Sequence, residues 1–167
     1  MGKITRPVSL KTPHRIDAFS CGVLSLDEWL KKRALKNQNQ DQGASRTFVC
    51  CDGDDVIGYY ALATGSVERA ASPGGIARNM PSPIPVIVLG RLAVDCEYQG
   101  QRLGAHLLKD AILRTLAIAQ QVGVRCLLIH AISANAKDFY LSYGFQESPI
   151  DPMTLFLSLQ KAQKLLG

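Results

Sequence analysis

VIVLGRLAVDCEYQGQRLGAHLL, from Val86 to Leu108, is the stretch on which the fold turns. Its first half is an apolar run rich in β-branched residues, the pattern of a buried strand. Its second half passes through Asp95, Cys96, Glu97 and Tyr98 into the turn Gln99-Gly100-Gln101-Arg102-Leu103-Gly104-Ala105, which opens an amphipathic helix. Such a turn aims several backbone N–H groups at one point beyond the helix start, where the macrodipole also favours negative charge. The stretch therefore encodes an anion cradle at the end of a strand. It is not a P-loop, because no Gly-Lys-Ser/Thr follows, nor a dinucleotide fingerprint, because the G-x-G-x-x-G frame is missing.

Downstream, the helix is expected over Leu103 to Gln121, with Leu107, Leu108, Ile112, Leu116 and Ile118 on its buried face. Val124 to Ile132, VRCLLIHAI, reads as a further buried strand, and Ser133 to Tyr143 as a short helix stopped by Gly144 at its C′ position. The tail MTLFLSLQKAQKLL gives a final strand with a polar or helical end. Upstream, the strand begins at Ile84, after a Pro-, Gly- and Ser-rich connection, Ser72 to Pro85, that carries Arg78. Before that, SRTFVCC and VIGYYALATGSV flank Asp52-Gly53-Asp54-Asp55, hairpin chemistry that makes them antiparallel neighbours. The segment FSCGVLSLDEWLKKRALKNQNQDQ carries a helix start near Ser25, where Glu28 completes a capping box. Leu26, Trp29 and Leu30 form its core-facing stripe, and the polar tail Asn37 to Gly43 frays into a loop. A helix, a hairpin, then strand–helix–strand–helix–strand predicts one α/β (α+β) domain over residues 1–167, a mixed sheet with helices on both faces.

The chain has 167 residues, 47% of them hydrophobic, enough for one core. MGKITRPVSL has no apolar h-region, and no run approaches the roughly eighteen apolar residues of a membrane span. The expectation is a soluble, unexported, cytoplasmic protein with no membrane partner. Five cysteines show no C-x-x-C spacing, and adjacent Cys50 and Cys51 should point to opposite faces of a strand. They read as reduced thiols in or near the core. With His14, His106 and His130 the only histidines, none at ligand spacing, no metal site is expected. Net charge is +5, and Lys31, Lys32, Arg33 and Lys36 concentrate it within six residues.

The turn acquires meaning from a second motif, Ala136-Lys137-Asp138-Phe139-Tyr140-Leu141-Ser142-Tyr143-Gly144-Phe145, on the next strand–helix unit. Together the two resemble the GNAT acetyltransferase superfamily, whose signature is Gln/Arg-x-x-Gly-x-Gly/Ala after a central strand, then Ala-x-x-x-Tyr-x-x-x-Gly-Phe. The first maps to Gln99, Arg102 and Gly104, with Arg102 in the glycine position; Ala136, Tyr140, Gly144 and Phe145 match the second. The resemblance implies the GNAT acyl-CoA N-acyltransferase fold, with a mixed, mostly antiparallel central sheet, and acetyl-CoA as cosubstrate. Its pyrophosphate would meet the amides of Gln99, Gly100, Gln101, Arg102, Leu103, Gly104 and Ala105, and its pantetheine the strand edge at Leu92, Ala93 and Val94. Tyr140 would be the general acid: a phenol of pKa about 10 stays protonated at pH 7 and can protonate a departing thiolate of pKa about 8.5. Two departures stand out. Arg102 occupies the place of the family's first glycine, implying a less glycine-like backbone, and Ser133 replaces a cofactor-contacting asparagine, with Asn135 close by.

A closer resemblance covers nearly the whole chain, to the acetyltransferase toxins of bacterial toxin–antitoxin pairs that acetylate aminoacyl-tRNA. Phe19-Ser20-Cys21-Gly22, Leu26-Asp27-Glu28-Trp29-Leu30, Leu89 to Asp95 and Asp151-Pro152-Met153-Thr154-Leu155-Phe156-Leu157 carry it. It implies transfer to the α-amino group of aminoacyl-tRNA, a block to translation, a homodimer and a ribbon–helix–helix antitoxin as partner. Lys31, Lys32, Arg33, Lys36, Arg78 and Arg91 are then candidates for tRNA phosphates, with Asp95 or Glu97 as an alternative partner for Arg91. An α-amine of pKa about 8 is partly neutral at pH 7, so it hardly needs a dedicated strong base. Asp95 reads as a loop cap, and His106 and His130 as structural residues. The same chemistry on a small amine or protein amine, and a non-catalytic acetyl-CoA-fold binding module, are the alternatives.

Overall fold

The computed structural model describes residues 4–39 and 43–166, so part of the polar stretch Asn37 to Gly43 lies outside the described residues. In chain order the elements are β1 (Val8–Ser9), α1 (Leu24–Lys32), α2 (Ala34–Gln38), β2 (Arg46–Asp52), β3 (Asp55–Val67), α3 (Gly74–Ala77), β4 (Ile84–Val94), α4 (Leu103–Ala119), β5 (Cys126–His130), α5 (Ala134–Ser142), β6 (Gln146–Glu147), β7 (Thr154–Ser158) and α6 (Leu159–Leu166). The sheet order is β1-β2-β3-β4-β5-β7-β6. β4 and β5 run parallel, while β1–β2, β2–β3, β5–β7 and β6–β7 are antiparallel. The expected mixed, mostly antiparallel sheet is present, with β4 at its centre.

By internal contacts the chain divides into two units, Met1–Ala63 with Gly90–Ala111, and Thr64–Leu89 with Ile112–Gly167. In the first, Asp52 pairs with Asp55 across the two-residue turn of the β2–β3 hairpin. Cys50 and Cys51 do face opposite ways. Cys51 joins Leu10, Phe19, Leu26, Leu30, Val49 and Tyr59 in the core beneath α1. Cys50 Sγ and Leu107 Cδ1 of α4 meet over Gly58, each 3.0 Å from where a Cβ would stand, so that residue must stay small. The Tyr60 hydroxyl, on the α4 side, donates to the Asp110 carboxylate. Helices thus cover both faces of this hairpin, as its two-sided apolar pattern requires.

The capping box does not form. α1 starts one residue earlier, with extended Val23 as cap and no side-chain cap bond. The Val23 carbonyl accepts the Leu26 and Asp27 N–H groups at 3.1 and 3.2 Å. Asp27, buried, instead accepts the Cys21 N–H at 2.9 Å. The helix breaks at Arg33, where φ is −122°, and resumes as α2, so the basic run spans a helix junction.

In the second unit β5 is the buried centre: Val86 to Val88 of β4 lie opposite Cys126 to Leu128, and β7 pairs along its whole length. The connection expected to be irregular, Ser72 to Pro85, holds α3, and a 3₁₀ turn, Arg69–Ala71, precedes it. Ile76 of α3 packs with Ile84, Val86, Cys126, Leu128 and Phe156. The Arg125 guanidinium pins α3 there by donating to the Ile76 and Gly75 carbonyls at 3.0 and 3.1 Å. Ser133 caps α5 through its hydroxyl, which accepts the Ala136 N–H at 3.1 Å. Gly144 ends that helix at φ +92°, and Lys161 Cε lies 3.1 Å from where its Cβ would be, so both backbone and space favour glycine.

Candidate active site

The loop between β4 and α4 is the most braced irregular segment of the first unit. Asp95 ends β4 and caps the following 3₁₀ turn: its Oδ1 accepts the Glu97 N–H and its Oδ2 the Ser20 N–H, both at 3.0 Å. In return the Ser20 carbonyl accepts the Cys96 N–H at 2.8 Å. The Gln99 amide nitrogen donates to the carbonyls of Cys21 (3.0 Å) and Val94 (2.9 Å). The Tyr98 hydroxyl donates to Asp52 at 2.6 Å, and that bond holds the phenol's pKa up at about 12. Phe19-Ser20-Cys21-Gly22, read from sequence as a marker of substrate class, is thus the strap that ties this loop to α1 through Asp27. No spacing rule could have exposed that role, since the bonds cross some 75 residues.

The side chain of Gln99 is therefore spent on the loop itself, leaving its backbone for a ligand. Gly100 and Arg102 both adopt positive φ, +82° and +65°. The expectation of a less glycine-like backbone at Arg102 is overturned: the turn keeps the left-handed geometry and arginine bears its strain, about 1–2 kcal/mol for a non-glycine residue. The first bond of the α4 ladder runs from the His106 N–H to the Arg102 carbonyl. Helix geometry accordingly turns the N–H groups of Leu103, Gly104 and Ala105 out of the N-terminus, and Arg102 is exposed beside them. That donor set suits a pyrophosphate. A cavity of about 390 Å3 on another side of the loop does not, being walled by Asp55, Asp95 and Glu97.

β4 offers a strand edge as well. Its ladder with β5 closes at Val88 opposite Leu128, yet β4 continues to Val94. Leu92, Ala93 and Val94 lie on this continuation, where an extended ligand can add as a strand.

Lys31, Lys32, Arg33 and Lys36 are all exposed, and Lys32 makes only a long 3.8 Å contact with Glu28. Arg91 pairs with neither Asp95 nor Glu97. Its guanidinium lies 4.5 Å over the Trp29 ring, which stacks on Tyr59 at 5.9 Å. The first unit thus groups these five cations on and against α1 and α2. Arg78 is exposed in the second unit, at the end of α3.

The second unit holds Tyr140, Asn135 and Ser133. Tyr140 is 5% exposed, edge-on to Phe139 and Phe145 at 5.1 and 5.5 Å. Burial pushes its pKa above the ordinary phenol value, keeping the proton on oxygen across the physiological range. Asn135 is exposed in the first turn of α5, whereas Ser133 is committed to capping. Buried Cys50 and Cys126 are pushed to about 12 by desolvation and Cys21 to about 11, so these thiols are inert as nucleophiles. Among the described residues no group of His, Cys, Asp and Glu could hold a metal, and no helix is long and apolar enough to cross a membrane.

Comparison with known proteins gives four findings. The family profile described as Acetyltransferase (GNAT) domain matches residues 43–147. The tRNA-acetylating toxin of Mycobacterium tuberculosis (strain ATCC 25618 / H37Rv) is 46% identical over 167 residues, covering 100% of this chain and 99% of that protein. Among solved structures, AtaT complexed with acetyl-methionyl-tRNAfMet superposes at TM-score 0.89 with 27% identity, over 99% of this chain and 100% of that one. A tyrosine-to-phenylalanine mutant of the AtaT toxin, bound to the C-terminus of the antitoxin AtaR and acetyl-CoA, superposes at 0.83 with 27% identity, over 98% of both chains.

Proposed function

The chain belongs to the GNAT acetyltransferase family and is an enzyme of acetyl transfer; from that premise we propose that it moves acetyl from acetyl-CoA to the α-amine of aminoacyl-tRNA, blocking translation as a toxin. The observation that carries the reading is the end-to-end similarity to a tRNA-acetylating toxin, which extends beyond the shared domain to both termini. The exposed cations of α1 and α2 support it, because phosphate contacts supply most sequence-independent affinity for nucleic acid.

In this mechanism the amides of residues 99–105 hold the pyrophosphate and Leu92 to Val94 line up the pantetheine, with Asn135 as a further contact. A backbone N–H of β4 polarises the thioester carbonyl as the amine attacks. Tyr140 gives its proton to the departing thiolate. Lys31, Lys32, Arg33, Lys36, Arg78 and Arg91 receive the tRNA, Arg91 backed by Trp29. The substrate places the enzyme in the cytoplasm. An antitoxin with a ribbon–helix–helix half covers the basic face, and the working form is a homodimer.

The test is incubation with labelled acetyl-CoA and a total charged tRNA pool, products being mapped by isoacceptor. Transfer should require charged tRNA, and about six phosphate contacts should weaken KM about 10³-fold between roughly 50 and 200 mM salt. Arg78→Glu should raise KM and flatten that salt dependence; an unchanged profile removes Arg78 from the interface. Equal transfer to uncharged-tRNA preparations or free small amines would overturn the substrate.

Arg102 gives a separate expectation. Arg102→Gly relieves the left-handed strain but loosens the unfolded chain, so stability should change by less than about 1 kcal/mol. Loss of a cation at the cradle should weaken acetyl-CoA binding a few-fold. Calorimetry and thermal melts separate the two effects.

A further inference from the structure

Asp151-Pro152-Met153-Thr154 is a motif that neither the cofactor cradle nor the general acid uses, and it is occupied with a histidine. Thr154 Oγ1 donates to Asp151 Oδ2 at 2.7 Å, and His130 Nδ1 lies 2.9 Å from Thr154 Oγ1. Asp151 is held in turn as the cap of this turn, accepting the Met153 N–H at 3.0 Å while its carbonyl accepts the Thr154 N–H at 3.1 Å. Thr154 is 7% exposed, and His130 pairs with it across the β5–β7 ladder.

Proton counting fixes the imidazole. A hydroxyl has one hydrogen, and an ionised carboxylate only accepts, so the Thr154 proton is committed to Asp151. Thr154 Oγ1 can then only accept from the ring, which puts the hydrogen on Nδ1 and leaves the lone pair on Nε2. This is the arrangement of an oriented base: a ring in one tautomer, held by a hydroxyl that a carboxylate holds.

Its position suits proton removal. The β4–β5 ladder ends at Leu128, two residues before His130, so the histidine lies on β5 past the point where β4 pairs with it. α3 covers this face of β5 at Cys126 and Leu128, but His130, next on the same face, is exposed. The charged groups around it are Asp151 on the β7 side and, from α5, Lys137, whose charge Asp151 feels. Lys137 is paired with Glu147 of β6 at 2.6 Å. Asp151 is thus the carboxylate bonded into the chain.

We propose that His130 is the general base that takes the first proton from the acceptor ammonium, with Thr154 and Asp151 as its positioning residues. This rests on the acetyl-transfer reading above and deepens it. The nitrogen gives up two protons in becoming an amide. The first goes to His130 Nε2 and from there to water. The neutral amine then attacks the thioester carbon, a C–N bond forms, the C–S bond breaks, and the second nitrogen proton ends on the CoA sulfur by way of the Tyr140 hydroxyl.

The test is turnover by the full chain with acetyl-CoA and two acceptors, charged tRNA and a small α-amino acid ester, between pH 6.5 and 9. His130→Gln should lower kcat about tenfold at the acid end, where only about 3% of an α-amine of pKa about 8 is already neutral, without raising KM for either substrate. The deficit should shrink as pH rises through the acceptor's own pKa, about 8 for an α-amine, because solvent then does the base's work. Thr154→Val, close to isosteric, should lower kcat a few-fold with the same pH trend and unchanged acetyl-CoA binding. Parental kcat in His130→Gln across this range would overturn the proposal, as would a deficit that is flat with pH. Parental transfer to the ester but not to charged tRNA would sink the tRNA reading alone, and His130→Gln is then scored on the ester. Transfer to neither would overturn both.

Discussion

Tyr140→Phe is expected to leave the fold and acetyl-CoA binding intact and to cut kcat about 10²–10⁴-fold, the usual range for losing a positioned acid. The ring sits between Phe139 and Phe145 in a site that is almost wholly buried, and phenylalanine fills the same space. Only the hydroxyl is lost. Because burial raises the phenol's pKa, Tyr140 is fully protonated at any pH where the enzyme works, so no alkaline limb in the pH profile should be traceable to it. The sharpest check uses the leaving group. An acetyl donor whose thiol is more acidic than CoA departs without help, so the variant should recover most of its rate with such a donor. A variant as slow with the activated donor as with acetyl-CoA would show that the hydroxyl acts elsewhere.

Tyr59→Ala should destabilise the protein by about 3–5 kcal/mol, the cost of deleting a fully buried aromatic side chain. Tyr59 is 0% exposed, edge-on to Phe19 at 5.5 Å and stacked on Trp29, and its hydroxyl donates to the Leu26 carbonyl at 2.7 Å. It therefore docks both the strap segment and the α1 helix onto β3. Tyr59→Phe keeps the ring and loses one hydrogen bond, so about 1 kcal/mol is expected. Urea denaturation should give the two values, and the alanine variant should melt roughly 10 °C lower. The functional corollary is that acetyl-CoA affinity falls in Tyr59→Ala, because the strap that braces the β4–α4 loop is anchored through α1. A loss below about 1 kcal/mol in the alanine variant would remove Tyr59 from this role.

Much of this was legible in the chain, for a physical reason. Strand β4 was readable to the residue because a run from Ile84 to Val94 that is apolar on both faces can only be buried. The hairpin and the cap of α5 by Gly144 follow from backbone preferences that act within a few residues. The turn before α4 and the Tyr140 motif could be singled out because each is local: a turn before a helix, and a tyrosine four residues before a glycine. Short β1 and β6 were not found, since two-residue strands exist only by pairing with β2 and β7.

Where side chains reach across the chain, sequence reading failed. Ser25 and Glu28 had the spacing of a capping box, but Asp27 won the start of α1 by bonding to Cys21. Arg91 had two acids nearby in sequence and lies instead on Trp29, some sixty residues away. Arg102 was read as a break in the glycine pattern, yet the turn holds its left-handed backbone regardless, because Asp95, Gln99 and Ser20 fix the loop from outside. The sequence by itself determined the elements and the turn before α4, all set by propensity and local spacing. Only the tertiary structure decided what braces that turn and what His130 bonds to, because hydrogen bonds between strands β5 and β7 and between the strap and its loop depend on register, which no local pattern records.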